Sequence, residues 1–134
     1  MTTKATGPFT VKMTPIAWSE STTDHDLARF LLEKELHGDL EATSTGQMLT
    51  AGTVEKGSAG YVAIEKVTGT LHGRKGSFIL QHSATMNRGN PTLSITVVPD
   101  SGTGELTGLA GDMNILRDEG KHAYEFHYTL SSIQ

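Results

Sequence analysis

The sequence predicts an all-β fold in which about eight antiparallel strands form a closed barrel or a two-sheet sandwich. Apolar side chains recur at every second position in a series of short stretches, which is typical of strands with one buried face. Turn-forming residues separate these stretches. Fifteen glycines in 134 residues disfavour helices, since glycine is costly in a helix interior. The composition fits a barrel and a sandwich equally well, although barrel closure removes the sheet edges that promote aggregation.

The first two strands are predicted in the N-terminal third of the chain. The first alternates around Phe9 and Val11 and ends near Pro15, because proline cannot donate a hydrogen bond to a neighbouring strand. The second covers residues 27–40, where helical spacing fails after one turn but period-two alternation continues. Lys34 falls on the apolar face of this strand. A buried lysine needs a counter-charge, so we expect a bulge or a position near the barrel rim.

Six further strands follow at short intervals. They are predicted over residues 47–55, 61–71, 77–86, 92–97, 104–110 and 123–130. Lys56, Gly57 and Ser58 join the first two of these strands in a connection of hairpin size. Because no linker divides the chain, we predict a single domain over residues 1–134. An eight-stranded barrel of this kind has an interior that side chains fill or that holds one small ligand.

The composition and charge exclude several classes of protein. The absence of cysteine excludes disulfides, thiolate zinc sites, iron–sulfur clusters and cysteine nucleophiles. A net charge of -4 disfavours binding to the phosphate backbone of nucleic acids. The N-terminus lacks the apolar core of a signal peptide, and no apolar run approaches the roughly 18–20 residues of a membrane helix. We therefore predict a cytoplasmic protein with no nucleic-acid or membrane partner.

Two glycine motifs share the spacing G-x-L-x-G-x-x-G, at residues 69–76 and 104–111. A leucine stands where the dinucleotide-binding fingerprint has its first glycine, and no predicted helix follows to hold an anion at its N-terminus. We interpret both motifs as hairpin turns. An old duplication and the convergence of similar hairpins both explain the repeat.

Acidic and histidine side chains alternate along one face of residues 33–41. Ligands at every second position of a strand lie about 6.6 Å apart, which is too far to share one metal ion without a neighbouring strand. We interpret this face as solvated and charged, which also discourages edge pairing. No nucleophile motif is present, and we assign no catalytic residue. We also assign no metal site and no cofactor.

The candidate ligand-binding residues come from two strands. His82 alternates in phase with apolar residues of its strand, so an inward-facing imidazole must find a partner or titrate abnormally. A buried core histidine, a polar anchor or acid/base in a cavity, and an exposed position after a phase error all fit this pattern. The aromatic face of the last strand is interpreted as core or as cavity lining. The predicted ligand-binding set is His82, Phe78, Leu80, Tyr124 and Phe126.

Residues 69–82 (GTLHGRKGSFILQH) and 97–111 (VVPDSGTGELTGLAG) together resemble the bacterial family called domain of unknown function 3224. The resemblance extends from about Phe9 to Leu130. It implies an eight-stranded antiparallel barrel similar in fold to allene oxide cyclase. The family has no established activity, and no cyclase catalytic motif matches this sequence, so the likeness to an enzyme is one of scaffold.

Three functional hypotheses follow from the predicted barrel. In the first, a homodimeric protein binds a small apolar molecule in the barrel or at its mouth, with His82 as a polar anchor. In the second, the barrel confines a reactive substrate and acts as a cyclase or isomerase. In the third, the barrel is filled and serves as an oligomerising interaction module. The presence of a cavity distinguishes the third hypothesis from the other two.

Overall fold

Eight antiparallel strands close into a barrel in which each strand pairs with its neighbours in the chain and β1 pairs with β8. The computed structural model describes residues 2–17 and 26–131. The strands are β1 (Thr3–Ile16), β2 (Leu27–Leu36), β3 (Leu40–Gly52), β4 (Ala59–Leu71), β5 (Arg74–Asn87), β6 (Asn90–Val97), β7 (Leu109–Asp118) and β8 (Lys121–Leu130). The prediction of an eight-stranded all-β fold is confirmed. Because the sheet is closed, the fold is a barrel and not a two-sheet sandwich.

The predicted strand over residues 27–40 is wrong at its C-terminal end. β2 ends at Leu36, and a tight turn leads into β3 at Leu40. Gly38 occupies this turn with a φ of 96°, a conformation that favours glycine. Alternation conceals the turn, because Leu36 and Leu40 both face the barrel interior and keep the same phase across it.

The predicted end of β1 is confirmed, whereas one other predicted strand is wrong. β1 ends at Ile16, in agreement with the predicted end near Pro15, and Pro15 pairs with Phe30 in the ladder with β2. The predicted strand over residues 104–110 is instead a 3-10 turn at Gly104–Leu106, followed by β7 from Leu109. A positive φ of 59° at Gly104 interrupts the extended backbone at the start of this turn.

One end of the barrel, here called the closed end, is filled by apolar side chains. The rings of Phe78 and Phe126 stack with centroids 5.7 Å apart, and Tyr128 stacks on Phe126 at 5.4 Å. Leu106 of the 3-10 turn is 1% exposed and belongs to the same cluster, so the connection between β6 and β7 covers this end. The connection is fixed by a hydrogen bond from the Ser77 backbone N–H to the Thr103 hydroxyl.

The opposite end, here called the open end, exposes inward-phase side chains. Met13 on β1, Met86 on β5 and Leu93 on β6 have the same phase as the buried residues of their strands, yet they are 47%, 40% and 46% exposed. The interior is therefore open to solvent at this end. Among the described residues, no helix is long and apolar enough to cross a bilayer.

The hydroxyl of Tyr124 fixes the turn between β2 and β3 at the closed end. It accepts a hydrogen bond from the Leu40 backbone N–H at 2.8 Å and donates one to the His37 carbonyl oxygen at 2.7 Å. Replacing Tyr124 by phenylalanine leaves both backbone groups without this partner. We expect Tyr124→Phe to lower the free energy of unfolding by about 1–3 kcal/mol, measured by urea denaturation.

Tyr61→Phe is the matched control for this prediction, because the Tyr61 hydroxyl bonds to no described residue. We expect the control to change stability by less than about 0.5 kcal/mol. Equal losses in the two variants would show that the hydrogen bonds of Tyr124 do not stabilise the turn.

Candidate functional site

A cavity of about 110 Å³ lies inside the barrel at its open end. Its apolar walls come from neighbouring strands around the barrel, and Ala63 on β4 leaves space because its side chain is a single methyl group. The walls are formed by Phe9, Val11, Leu32, Met48, Ala63 and Ile115. The cavity is therefore an apolar pocket, and its few polar groups decide what it binds.

Glu65 is buried beside this cavity, with its side chain 1% exposed. It points inward from β4 between Ala63 and Val67, which are both buried. On β3 it pairs with Gly46. A Cβ at Gly46 would lie 2.0 Å from the Ile64 carbonyl oxygen, so glycine is needed for β3 and β4 to approach this closely.

Three side chains from the adjoining strands bind the Glu65 carboxylate. Lys34 Nζ donates a hydrogen bond to Oε2 at 2.8 Å. His82 Nε2 lies 2.5 Å from the same oxygen, and the Ser44 hydroxyl donates to Oε1 at 2.5 Å. These four residues, here called the Glu65 cluster, satisfy both oxygens of the carboxylate. Because β2, β3, β4 and β5 each supply one residue, the cluster assembles only when these strands are in register.

The partners of Glu65 keep it ionised. Burial acts to raise the pKa of Glu65, but the hydrogen bond from His82 and the charge of Lys34 outweigh it and lower the pKa to about 2. An ionised carboxylate accepts hydrogen bonds and donates none. His82 Nε2 must therefore carry the hydrogen in its bond to Glu65.

The other ring nitrogen of His82, Nδ1, is not used by the Glu65 cluster. His82 lines the cavity, and its Nδ1 makes no hydrogen bond to a described residue and is not enclosed by the protein. With the hydrogen on Nε2, Nδ1 of the neutral ring is an acceptor. Glu65 thus holds the His82 ring through Nε2 and leaves Nδ1 without a hydrogen bond to a described residue.

Three further polar side chains line the cavity: Tyr61, Arg117 and His122. Burial raises the pKa of the Tyr61 phenol, although the nearby charge of Arg117 acts to lower it. The His122 ring lies against Phe9, with centroids 5.3 Å apart. None of the three side chains forms a hydrogen bond or ion pair within the part of the chain that the structure describes.

The predicted ligand-binding residues separate into two groups. His82 lines the cavity and is 5% exposed. Phe78, Leu80, Tyr124 and Phe126 are completely or almost completely buried in the core cluster, and none of them lines the cavity. Alternation places all five side chains inside the barrel, but it does not distinguish the filled end from the open one.

Lys34 lies in a regular part of β2 and faces inward, so the expected bulge or rim position is wrong. The expected counter-charge exists, and it is Glu65. The sequence carries a signal for this residue, because Glu65 shares the phase of Tyr61, Ala63 and Val67. An acid and a base on the inward phases of two strands predict a buried ion pair.

The acidic face on residues 33–41 stays exposed, as interpreted from the sequence. His37 bonds to Glu41 there at 3.2 Å. The pKa of Glu41 is lowered, mainly by the hydrogen bond from the Gly38 backbone N–H and next by the bond to His37. Over residues 2–17 and 26–131, no group of three or more acidic or histidine side chains is placed to hold a metal ion.

Comparison with known proteins places the chain in a structural context. The model of a family described as a protein of unknown function (DUF3224) matches residues 5–128. A crystal structure of a DUF3224 protein with unknown function from Shewanella oneidensis MR-1 shares 50% sequence identity, with a TM-score of 0.93. The match covers 99% of this chain and 100% of that chain. No curated protein is significantly similar to the chain. The family resemblance predicted from the glycine motifs is confirmed.

The Glu65 cluster makes a pH-dependent contribution to stability. Because the pKa of Glu65 falls on folding from 4.5 to about 2, its contribution is complete above pH 4.5 and is lost as the pH falls toward 2. Glu65→Gln removes the charge and leaves Lys34 buried without its partner. We expect this variant to lose about 3–5 kcal/mol of stability near neutral pH. Its stability should also fall less steeply on acidification, measured by urea denaturation across this pH range.

Glu33→Gln is the matched control, since Glu33 is exposed on β2 next to Lys34. It should change stability by less than about 0.5 kcal/mol and keep the acid dependence of the original protein. The assignment fails if Glu65→Gln and Glu33→Gln have the same stability and the same pH dependence.

Proposed function

The chain belongs to the DUF3224 family of proteins of unknown function, and we propose that it binds a small, largely apolar molecule in the cavity at the open end of its barrel. One observation carries this proposal. An apolar cavity of about 110 Å³ is lined by His82, whose Nε2 is held by an ionised, buried Glu65 and whose Nδ1 bonds to no residue that the structure describes.

The Glu65 cluster supports a functional role because burial of ionisable groups is expensive. A buried ion pair is often no more stabilising than well-packed apolar residues of the same volume. Ionisable groups with strongly shifted pKa values beside a cavity are common at functional sites. Lys34, Glu65 and His82 occupy positions that apolar side chains fill elsewhere in the barrel. A role in recognition accounts for their presence better than stability does.

The cavity sets the size and shape of the ligand. Its apolar walls favour an apolar body, and Nδ1 of the neutral His82 ring accepts a hydrogen bond from a hydroxyl or N–H group on that body. Drug-sized ligands occupy pockets of roughly 300–1,000 Å³. The cavity of about 110 Å³ is smaller. We therefore expect a compact ligand, or a larger one of which only one end enters the barrel.

Native mass spectrometry of protein purified from the organism that encodes it tests this function. We expect a stoichiometric extra mass from one bound small molecule. Ala63→Leu should lose this mass, because the added methyl groups fill the cavity. Val62→Leu adds bulk at the neighbouring, outward-facing position and should retain it.

The outcomes separate the hypotheses. Absence of an extra mass from the original protein favours the filled interaction module, and retention of the mass in Ala63→Leu places the ligand outside this cavity. The homodimer proposed from the sequence is read from the same spectrum, since the mass of the intact assembly gives its stoichiometry.

Proton-transfer catalysis is a second candidate, and the pairing of Glu65 with His82 favours it. A carboxylate that orients an imidazole and stabilises its protonated form is suited to a general base. Nδ1 would take a proton from a carbon next to a carbonyl group and return it to another carbon of the same molecule. This isomerisation leaves the atoms and electrons of the substrate balanced and needs no cofactor.

Deuterium exchange distinguishes this enzyme from a binding protein. The compound identified by mass spectrometry is incubated in D₂O with the original protein and with His82→Gln. A catalyst should introduce deuterium at carbon or form an isomer, and His82→Gln should lose at least about 100-fold in rate. Exchange at the same rate in both samples, or no exchange with bound compound, would leave binding as the function.

A further inference from the structure

Every ionisable side chain that lines the cavity, apart from the phenol of Tyr61, is a base. These residues are Lys34, His82, Arg117 and His122. The whole chain has the opposite balance, with 15 acidic residues against 11 Lys and Arg and a net charge of -4. Lys34 and His82 are bound by the Glu65 carboxylate. The positive charge that remains for a ligand is therefore that of Arg117, and a guanidinium group at the mouth of a cavity attracts an anion.

The negative charge nearest the cavity does not neutralise all of these bases. Glu65 does not line the cavity itself, and its carboxylate already binds Lys34, His82 and Ser44. Arg117 forms no ion pair within residues 2–17 and 26–131. Its guanidinium group therefore keeps a full positive charge without a carboxylate partner there.

Arg117 lies where a ligand head group would enter. It shares the inward phase of Ile115 on β7, pairs with His122 on β8 and is exposed at the open end. Lys34 and His82 lie deeper, with side chains 10% and 6% exposed. The charge of Arg117 acts on the Tyr61 phenol across the cavity. Arg117, Tyr61 and His122 thus present hydrogen-bond donors around the mouth, above the apolar walls.

From this arrangement we propose that the ligand is an organic anion with a compact apolar body, whose carboxylate or similar head group binds Arg117 while its body enters the cavity. The guanidinium fork binds a carboxylate through two parallel hydrogen bonds. The Tyr61 hydroxyl adds a donor. The apolar body then contacts walls such as Phe9 and Ile115. This inference rests on the proposed binding function and specifies the charge of the ligand.

Three probes of nearly the same shape and different charge test the inference: phenylacetate, phenethyl alcohol and phenethylamine. Each is titrated into isotope-labelled full-length protein, and the shifts of cavity amide resonances report its affinity. We expect phenylacetate to bind at least about tenfold more tightly than the alcohol. Phenethylamine should bind more weakly than the alcohol, because Arg117 repels its positive charge.

Arg117→Gln and Arg74→Gln locate the head group. Both variants remove one positive charge from an exposed position, but Arg74 begins β5 at the closed end. Arg117→Gln should abolish the about tenfold preference for phenylacetate, because it weakens binding of the anion much more than binding of the alcohol. Arg74→Gln should retain the preference. Increasing salt should reduce the preference in the original protein.

The negative outcomes are distinct. If the alcohol binds in the cavity as tightly as phenylacetate, or if Arg117→Gln keeps the preference, the anionic head group is wrong while the binding function stands. If none of the three probes shifts the cavity resonances, the inference is overturned, and the native mass spectrum decides separately whether the cavity binds another compound.

Discussion

The ionised carboxylate of Glu65 is the constraint around which the barrel interior is arranged. A charge without partners in an apolar interior costs several kcal/mol or more, so its position requires donors from the surrounding strands. Lys34, Ser44 and His82 supply them from β2, β3 and β5. A shift of one residue in any of these strands would turn its donor outward. The cluster therefore reinforces the register that the apolar pattern sets.

The Glu65 cluster lies between the apolar core of the closed end and the cavity of the open end. Toward the closed end, stacked rings such as Phe78 and Phe126 fill the interior. Toward the open end, the side chains of Lys34 and His82 must extend to Glu65, and Ala63 offers no bulk to replace them. The cavity thus lies beside the polar cluster, and Lys34 and His82 belong to both. The cluster leaves the buried His82 with one ring nitrogen bound to Glu65 and the other without a hydrogen bond to a described residue.

Much of the fold follows from alternation alone, because a half-buried strand must direct every second side chain inward. This rule predicts an eight-stranded all-β fold and places His82 in phase with inward-facing apolar residues. It fails where a turn preserves the phase, as between Leu36 and Leu40, and where glycine-rich sequence forms a 3-10 turn instead of a strand. Strand boundaries depend on backbone torsions such as that of Gly38, which apolar periodicity does not record.

Only part of the candidate site can be predicted from the sequence. The pairing of buried charges follows from the sequence pattern, but the position of a cavity depends on side-chain volumes from several strands. Lys34 and Glu65 each lie in the apolar phase of a strand, and electrostatics alone requires opposite charges in such positions to meet. Their pairing was therefore predictable. Whether Phe78 or His82 borders empty space depends instead on the tilt of the strands and the summed volumes of side chains from all of them. No single strand contains that information, so the cavity, and with it the choice between binding protein and filled barrel, becomes visible only after the sheet has closed.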